Sequence, residues 1–407
     1  MAEGDTSVAD GNRRVVVTGM GAIAPNGNSV AEFWEGLVAG RSAIAPITRF
    51  DASPFRNGLA GEVKDFAMPE GETSRARAYA LAAIEQAIAD SGLEAEALER
   101  AGLVLATNFG GCDAAERFLG ARSRGETPQA EWFDDYDFQS PAVAAARRWG
   151  IRGPMAVLSL SCASGVAALG YATDLIRQGR AETVITGGFD ELSRLSYAGL
   201  SALRAITPEM IRPFDKNRKG TLFAEGAGAL VLESLESATR RGATIHAEVL
   251  GHAMNNDAYH MTAPDKSGRG IIAVMRAAVA DAAIPPAEIQ HINAHGTGTQ
   301  YNDKIETAAI KAVFGDHAYR LTVTANKSMV GHTCGAAGAL EAICTIRTIQ
   351  TGIVPPTINY ETPDPECDLD YVPNQARASE VRAALCNSYG IGGTNAAIVL
   401  ARFEATA

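Results

Sequence analysis

The sequence predicts an α/β fold in which strands and helices alternate along one long chain. Short apolar runs such as Leu103–Ala106 and Thr183–Thr186 have the length of buried strands and are bounded by glycine or polar residues. Between such runs, apolar residues recur at helical spacing, as at Leu81, Ile84 and Ile88. Both halves of the chain show this alternation, which is typical of mostly parallel sheets covered by helices.

The composition indicates a globular protein and excludes several classes. The 407 residues are enough for a large core or two fused units, and they are 46% hydrophobic and 20% charged. A formal net charge of −11 argues against nucleic-acid binding, which needs a basic face. No apolar run approaches the length of a membrane-spanning helix. The six cysteines contain no CxxC pair, so we expect reduced thiols, no metal site and a cytoplasmic location.

The first half is expected to begin after a polar, acidic segment. Residues 1–13 lack the apolar core of a signal peptide and are predicted to be a disordered tail. Arg14–Gly21 is predicted to be a strand, and its glycines do not form GxGxxG, which argues against a dinucleotide site. Ser29 and Ser74 are expected to cap helices that end near Ala39 and Ser91. The polar and aromatic segment 120–137 has no clear period and is expected to be an excursion over the surface or at an interface.

The second half repeats this alternation without a residue-level repeat. Its predicted strands are His246–Leu250, Ile289–Asn293, Leu321–Thr324 and a closing hairpin of Val381–Ser388 and Ala396–Ala401, and its predicted helices are Gly270–Ala283, Asp303–Phe314 and Ala336–Thr351.

Cys162 lies at a strand-to-helix turn, between an apolar run at Val157–Ser161 and a helical pattern that reaches about Gln178. Unpaired amides at a helix N-terminus stabilise a thiolate, and nearby N–H groups could hold an oxyanion. A lone cysteine of this kind is more often buried and inert. Two histidine motifs further along the chain make a reactive cysteine the favoured interpretation.

His295 and His332 each follow a predicted strand and lie in glycine-rich loops, at 293–299 and 327–332. A further glycine loop at 387–395 also follows a strand. Such strand ends are where α/β proteins place active-site groups. One histidine in this setting is more often structural, but a cysteine and two histidines in three such loops predict a catalytic site.

On these motifs the chain resembles the elongating β-ketoacyl-(acyl carrier protein) synthases, which are the condensing enzymes of fatty-acid and type II polyketide synthesis. The motifs are Ser161–Gly165, Arg212–Asp215, Asn293–Thr299, Lys327–His332, Gly335–Gly338 and Gly392–Asn395. The resemblance runs from about Arg14 to Leu400. It implies the thiolase fold, with two similar α/β halves, at 14–243 and 244–407, that form a five-layer αβαβα sandwich.

The resemblance implies a role for each matched residue. Cys162 would carry an acyl chain as a thioester, and His295 and His332 would stabilise the enolate that forms when malonyl thioester loses CO₂. Lys327 would lie near the histidines, with Glu306 balancing its charge. Thr297 and Thr299 would bind the phosphopantetheine arm, which arrives on the acyl carrier protein, so no resident cofactor is expected.

The loop at 387–395 would complete the substrate site through Tyr389, Ile391, Gly392 and Asn395. The backbone N–H groups of Cys162 and Ile391 would form the oxyanion hole. Ile391 stands where the family usually has a phenylalanine that gates the cysteine. Thr221 likewise replaces a usual phenylalanine.

The implied partners are the acyl carrier protein and a second subunit. Docking is expected on a local basic patch, because carrier proteins are acidic and the chain itself is negative. The candidates are Arg75, Arg77, Arg204, Lys216, Arg218 and Lys219, with Arg204 favoured by its place before the Arg212 loop. A homodimer, or a heterodimer with a chain-length-factor-like relative, is expected to pair through strand Val157–Ser161.

Several functions stay open at this point. A type II polyketide or specialised fatty-acid pathway is favoured over housekeeping fatty-acid elongation by a 3-oxoacyl synthase II, because Ile391 and Thr221 depart from the usual pattern. A non-catalytic chain-length or scaffold subunit is disfavoured by Cys162, His295 and His332. A thiolase that uses coenzyme A is a weaker alternative. Acyl chain length and starter unit are not indicated.

Overall fold

The computed structural model describes residues 13–404, so the predicted tail lies outside the described residues except for Arg13. The strands are β1 (Val15–Ile23), β2 (Ile44–Pro46), β3 (Leu59–Gly61), β4 (Gly102–Ala106), β5 (Met155–Leu158), β6 (Thr183–Asp190), β7 (Gly226–Ser234), β8 (Ala247–Asn256), β9 (His291–Asn293), β10 (Thr322–Thr324), β11 (Ile353–Val354), β12 (Arg377–Ala378), β13 (Ala383–Tyr389) and β14 (Thr394–Ala401).

The helices alternate with these strands as predicted. They are α1 (Val30–Val38), α2 (Arg75–Ser91), α3 (Ala95–Arg100), α4 (Cys112–Ser123), α5 (Glu131–Tyr136), α6 (Ser140–Trp149), α7 (Ser164–Arg177), α8 (Arg194–Ala202), α9 (Leu235–Arg240), α10 (Arg269–Asp281), α11 (Asn302–Phe314), α12 (Lys327–Val330) and α13 (Ala337–Thr351). Within residues 13–404, no helix is long and apolar enough to cross a membrane.

The two halves of the chain order their strands in the same way. Outward from the centre, the first half runs β1-β7-β6-β4-β5 and the second runs β8-β14-β13-β9-β10. In each half the two inner pairings are antiparallel and the two outer pairings are parallel. β1 also pairs with β8, so the two sets join into one ten-stranded sheet in the described part of the chain. The two halves therefore repeat the same topology, although their sequences show no residue-level repeat.

The expectation of a mostly parallel sheet was wrong. Over residues 13–404, the main sheet has four parallel pairs, β4–β5, β4–β6, β9–β10 and β9–β13, against five antiparallel pairs. The cause is visible at β13 and β14, which are joined by the short turn 390–393. A short turn reverses the chain, whereas a parallel pair needs a longer crossover. The division into domains at 243 and 244, between α9 and β8, stays a prediction.

Helices α7 and α13 lie between the two sets of strands and are buried along almost their whole length. α2 and α6 cover the outer face of the first half, and α10 and α11 cover that of the second. These layers form the predicted αβαβα sandwich.

The two central helices meet at their N-terminal ends through glycines. A Cβ on Gly338 would lie 2.4 Å from the backbone N of Val166, and a Cβ on Gly165 would lie 3.0 Å from Gly338 Cα. Only glycine permits this approach. Because the backbones touch, the loop that precedes α7, which carries Cys162, meets the loop that precedes α13, which carries His332.

The predicted helices and strands are confirmed where the sequence has a clear capping residue or a clear hydrophobic periodicity. The Ser29 and Ser74 side chains accept the N–H groups of Glu32 and Arg77 and cap α1 and α2, as predicted. The strand predicted at Val157–Ser161 was misplaced, because β5 ends at Leu158. The segment 120–137, expected to be an excursion over the surface or at an interface, is mostly exposed and contains the end of α4 and all of α5.

Candidate active site

The nucleophile turn is held by its own side chains. Ser161 has φ of +55°, in the left-handed region, so the chain turns sharply between β5 and α7. The Ser164 hydroxyl accepts the Leu160 N–H at 2.7 Å and contacts Asn108 Oδ1 at 3.1 Å. Cys162 is thereby fixed immediately before α7, with its sulfur on the wall of a cavity.

His332 contacts the sulfur directly, with Nε2 2.9 Å from Cys162 Sγ. Its other ring nitrogen, Nδ1, accepts the backbone N–H of Cys334 at 3.2 Å. An imidazole nitrogen that accepts a backbone N–H carries no proton, so in the neutral ring Nε2 bears it. The Cys334 backbone thus makes His332 a donor toward the site. This contact was not predicted from the sequence.

His295 is set in the same way by a different group. Its Nδ1 lies 3.5 Å from Lys327 Nζ, which donates at 2.8 Å to the His295 carbonyl. An ammonium has no acceptor, so Nδ1 faces a donor and Nε2 carries the proton. Burial first, and then the Lys327 charge, lower the pKa of both His295 and His332, which keeps both rings neutral. Their centroids are 5.6 Å apart, edge to face.

Cys162, His295 and His332 have ligand atoms within 4.8 Å of one another and form a set that zinc could use. A metal would take the Nε2 lone pairs and move both protons to Nδ1. Those protons would then face the Cys334 N–H and the Lys327 ammonium. The donors around the rings therefore do not fit a metal, and this supports the prediction that none is bound.

The predicted partnership of Lys327 and Glu306 was wrong. Lys327 forms its ion pair with Glu341 of α13, and both side chains are buried. Glu306 instead accepts the backbone N–H groups of His295 at 2.9 Å and Gly296 at 3.0 Å. Burial raises the pKa of Glu306 to about 7. Glu306 is therefore a positioning residue for the His295 loop. The signal for Glu341 was that it is the one acid in the helix Ala337–Thr351 and lies within its apolar first half.

The expected thiolate at Cys162 is also corrected. Burial raises the pKa of this thiol, and it outweighs the Ser161 hydroxyl, the Lys327 charge and the Ile391 backbone N–H, which act in the opposite direction. The Ile391 backbone N–H lies near enough to lower the pKa of the Cys162 thiol, and the oxyanion hole of the Cys162 and Ile391 N–H groups stays a prediction.

An outer cavity of about 340 Å³ leads from the surface to Cys162. The predicted substrate residues that line it are Thr297, Thr299, Tyr389, Ile391 and Asn395. The two threonine hydroxyls share a hydrogen bond of 3.1 Å.

Gly392 departs from the prediction for this wall. It is exposed, and its carbonyl accepts a hydrogen bond from Asn256 Nδ2 at 3.1 Å. The neighbouring Gly393 lines the outer cavity in its place. Gly390, Ile391 and Gly393 of this turn line the cavity and Gly392 does not, and a motif match alone could not show which.

An inner cavity of about 260 Å³ lies on the other side of Cys162. Its lining includes Asn108, Phe109, Ser159, Leu200 and Cys334. The cysteine therefore stands where two cavities meet, one that reaches the surface beside Arg204 and one that extends towards the end of β5.

Asp190, which was missed, ties these loops together. It is buried at the end of β6 and accepts the Thr107 hydroxyl at 2.6 Å, the Phe109 N–H at 2.9 Å and the Gly335 N–H at 2.6 Å. The first two donors belong to the loop after β4, and the third follows His332. Its signal in the sequence was an acid directly after the apolar strand Thr183–Phe189.

Most of the predicted docking cations are engaged within the molecule. Arg75 lies near Glu225 and Asp113, Arg77 binds Glu72 and Asp135, Arg218 binds Asp364, and Lys219 binds Glu209. The Arg218 side chain is only 5% exposed, which excludes it as a docking group. Arg204 and Lys216 are exposed, and Arg204 lines the mouth of the outer cavity.

Two family models match the sequence. The model described as "Beta-ketoacyl synthase, N-terminal domain" covers residues 12–238, and "Beta-ketoacyl synthase, C-terminal domain" covers residues 246–361. The chain belongs to the β-ketoacyl synthase family. Family membership makes it a condensing enzyme of the acyltransferase type.

Relatives from two kinds of pathway are similar to this β-ketoacyl synthase. The granaticin polyketide β-ketoacyl synthase 1 of Streptomyces violaceoruber is 42% identical over 97% of this chain and 100% of its own length. The 3-oxoacyl-[acyl-carrier-protein] synthase 2 of Coxiella burnetii is 40% identical over 96% of this chain and 99% of its own.

A solved structure confirms the thiolase fold. The ishigamide ketosynthase/chain length factor matches with a TM-score of 0.92 and 41% identity, over 96% of this chain and 100% of that chain.

Proposed function

We propose that the protein is a ketosynthase that condenses an acyl chain on Cys162 with malonyl carried by an acyl carrier protein, in a type II polyketide or specialised fatty-acid pathway. One observation carries the proposal. The Cys162 sulfur lies where two cavities meet, with a neutral Nε2–H imidazole 2.9 Å away and a second one beside it.

In the first half-reaction the acyl group moves to Cys162. The Cys162 sulfur attacks the thioester carbon of the incoming acyl chain, and the N–H groups of Cys162 and Ile391 hold the oxyanion. The bond to the phosphopantetheine sulfur then breaks, and the Cys162 proton passes to that departing sulfur, which leaves as a thiol. Burial raises the pKa of the Cys162 thiol and so favours its protonated form. The N–H groups that hold the oxyanion on the thioester must therefore offset the cost of forming charge at this step.

In the second half-reaction malonyl thioester occupies the outer cavity. Its carboxylate leaves as CO₂, and the electron pair passes to the thioester oxygen, where the Nε2–H groups of His295 and His332 donate to the enolate. The enolate carbon attacks the acyl carbon on Cys162, the carbon–sulfur bond breaks, and the Cys162 thiolate takes a proton from solvent. Each donor to such an oxyanion is typically worth about 2.7–4 kcal/mol.

Two pathways remain candidates because the identities to the granaticin and Coxiella burnetii relatives differ by little. The specialised pathway is favoured by Ile391 and Thr221, which replace two usual phenylalanines. A non-catalytic scaffold would need neither the sulfur nor the two oriented rings. We place the enzyme in the cytoplasm, where reduced thiols persist.

We propose a dimer that pairs through β5. This strand is at the end of the sheet order, and Met155 at its start is 47% exposed. An open edge of this kind offers unpaired backbone groups to a second strand. The partner would be a second copy or a chain-length-factor-like relative. Sedimentation that finds only a 42.6 kDa species at micromolar concentration contradicts this.

Carrier-protein docking is proposed at the mouth of the outer cavity, on Arg204. Arg204→Glu should weaken binding of an acyl carrier protein and reduce its dependence on salt, because rim charges act mainly on the association rate. Transfer from a small acyl-pantetheine thioester should be nearly unchanged. Arg100→Glu, at an exposed ion pair elsewhere, is the matched control. Equal loss with both donors would assign Arg204 to the active site instead.

The proposed reaction is tested by mass spectrometry of the protein after incubation with an acyl carrier protein that bears an acyl chain. The acyl group should appear on Cys162, and addition of malonyl carrier should remove it as a β-ketoacyl carrier product. A protein that is never acylated on Cys162, alone or with a partner subunit, contradicts the ketosynthase proposal.

A further inference from the structure

The wall between the two cavities consists of few side chains. Cys162, Phe223 and Ile391 line both the outer and the inner cavity. Since Cys162 is the reacting group, the width of the passage beside it is set by Phe223 and Ile391. Whatever group is attached to the sulfur must pass between these two side chains to reach the inner cavity.

The two sides of this passage are held very differently. Ile391 is partly exposed and stands in the turn 390–393, where Gly392 and Gly393 have φ of +95° and +77°. The backbone of that turn is hydrogen-bonded, but the Ile391 side chain is only partly buried and so has space to change its rotamer. Phe223 is 3% exposed and packs in a cluster with Leu200, Leu222 and Cys334.

The backbone around Phe223 is fastened to that of His332. The Leu222 carbonyl accepts the His332 N–H at 2.7 Å, and the Ala224 N–H donates to the His332 carbonyl at 2.9 Å. The Phe223 carbonyl also accepts the Gly61 N–H at 2.9 Å. Two backbone hydrogen bonds therefore hold Phe223 in register with His332, and a third joins it to Gly61.

The Phe223 ring is stacked on the His332 ring, with centroids 5.7 Å apart and planes inclined by 24°. The His332 ring and the cluster of Leu200, Leu222 and Cys334 limit how far the Phe223 ring can move away from the passage. A side chain that is fixed in this way cannot widen the passage, and overfilling a packed site is costly.

We propose that Phe223 determines which acyl groups Cys162 accepts, by admitting straight chains and excluding those branched next to the carbonyl. The inference rests on the proposed function. A branch at that carbon lies at the narrowest point, between the fixed phenyl ring and the sulfur. Ile391 can yield to a long chain that is narrow, but Phe223 cannot yield to a wide one.

The test compares two donors of equal composition, butyryl-pantetheine and its branched isomer isobutyryl-pantetheine, and measures acylation of Cys162 by intact mass. The wild type should load the straight chain about tenfold faster or more, the usual scale for one misplaced methyl group in a tight apolar site. In Phe223→Leu the ratio should fall close to one. Ser159→Ala, at a residue that lines the inner cavity but belongs neither to the passage nor to the cluster around Phe223, should keep the wild-type ratio.

Each result of this loading experiment either supports or overturns the inference. A Phe223→Leu variant that loads both donors with the wild-type ratio overturns the inference alone, as does a wild-type ratio near one. Loading of neither donor by the wild type contradicts the proposed function and the inference with it. If Phe223→Leu does not fold, judged by thermal unfolding, Phe223→Met keeps more of the volume and should lower the ratio in the same direction; an unchanged ratio there overturns the inference.

Discussion

The connection from β5 to α7 and the connection from β10 to α13 occupy equivalent places in the two halves of the fold. The first carries Cys162, and the second carries Lys327 and His332. The loops after β4 and β9 are equivalent as well, and they carry Asn108 and His295. The halves share a topology, yet one supplies the nucleophile and the other supplies the hydrogen-bond donors.

This difference teaches that the fold determines where the groups meet and the residues determine what they do. Burial acts on both halves but has opposite effects. It raises the pKa of Cys162, which keeps the sulfur protonated in the free enzyme, and it lowers the pKa of His295 and His332, which keeps them neutral. Both shifts follow from the cost of a buried charge.

The largest expected effect is on the first half. Cys162→Ala should lower condensation by at least about a thousandfold, because removal of a nucleophile abolishes the covalent route. Product formation from acyl and malonyl carriers is the measurement. Cys112→Ala, a buried cysteine away from the two cavities, is the control. Condensation by Cys162→Ala at the wild-type rate would remove the sulfur from the mechanism.

The second effect is on the donors of the second half. His295→Ala and His332→Ala should each slow CO₂ release from malonyl carrier by about 10²–10³, the usual loss for one oxyanion donor. Acylation of Cys162 should fall less, because the enolate forms only in the second half-reaction. His317→Ala, which changes a ring that binds the Ile289 carbonyl, is the control. Unimpaired CO₂ release in both variants would exclude the donor role.

A smaller effect is expected from the residue that holds the His295 loop. Glu306→Gln leaves one acceptor for two backbone N–H groups, and an unsatisfied buried donor costs about 1–3 kcal/mol. CO₂ release should fall by about tenfold if about 1.4 kcal/mol reaches the transition state. Lys304→Gln on the exposed side of the same helix is the control. A rate equal to wild type would show that the loop holds His295 without Glu306.

The last and smallest effect is expected at Asp190, which joins the loops of both halves, and it concerns the stability of the protein. Burial raises its pKa from 3.8 to about 6. The folded protein then keeps this proton to higher pH than the unfolded chain. The contribution of Asp190 to the free energy of unfolding is therefore greatest below pH 4 and falls as pH rises to 6, by up to about 3 kcal/mol.

The Asp190→Asn variant does not titrate at this position. Its free energy of unfolding relative to wild type should thus increase between pH 4 and pH 7, measured by urea titration. A difference that is flat, or that decreases, would mean that the N–H and O–H donors to Asp190 outweigh its burial.

The sequence could predict the site where a local pattern determines a local position. Cys162, His295 and His332 each follow an apolar strand, so their loops were predictable. The contacts that orient them come from distant residues. Glu341 binds Lys327 from the middle of α13, and Asp190 binds Gly335 from the end of β6. No spacing along the chain encodes such pairs, because they depend on how the layers pack.

The fold was predictable to a similar extent. Strong caps and periods predicted α1, α2 and α7, whereas α4, α5 and α6 have few buried residues and gave no clear pattern. Strand direction was mispredicted because β7 and β14 return beside β6 and β13. For the docking candidates, the sequence shows the cations but not the acids that engage Arg75, Arg77 and Arg218, and docking on Arg204 stays a prediction.

The division of labour between the halves is tested most directly by CO₂ release from malonyl carrier in Cys162→Ala, measured beside the His295→Ala/His332→Ala double variant. The account predicts that Cys162→Ala still releases CO₂ without forming a condensed product, and that the double variant is acylated on Cys162 but releases almost none. Loss of CO₂ release in Cys162→Ala to the level of the double variant would contradict it.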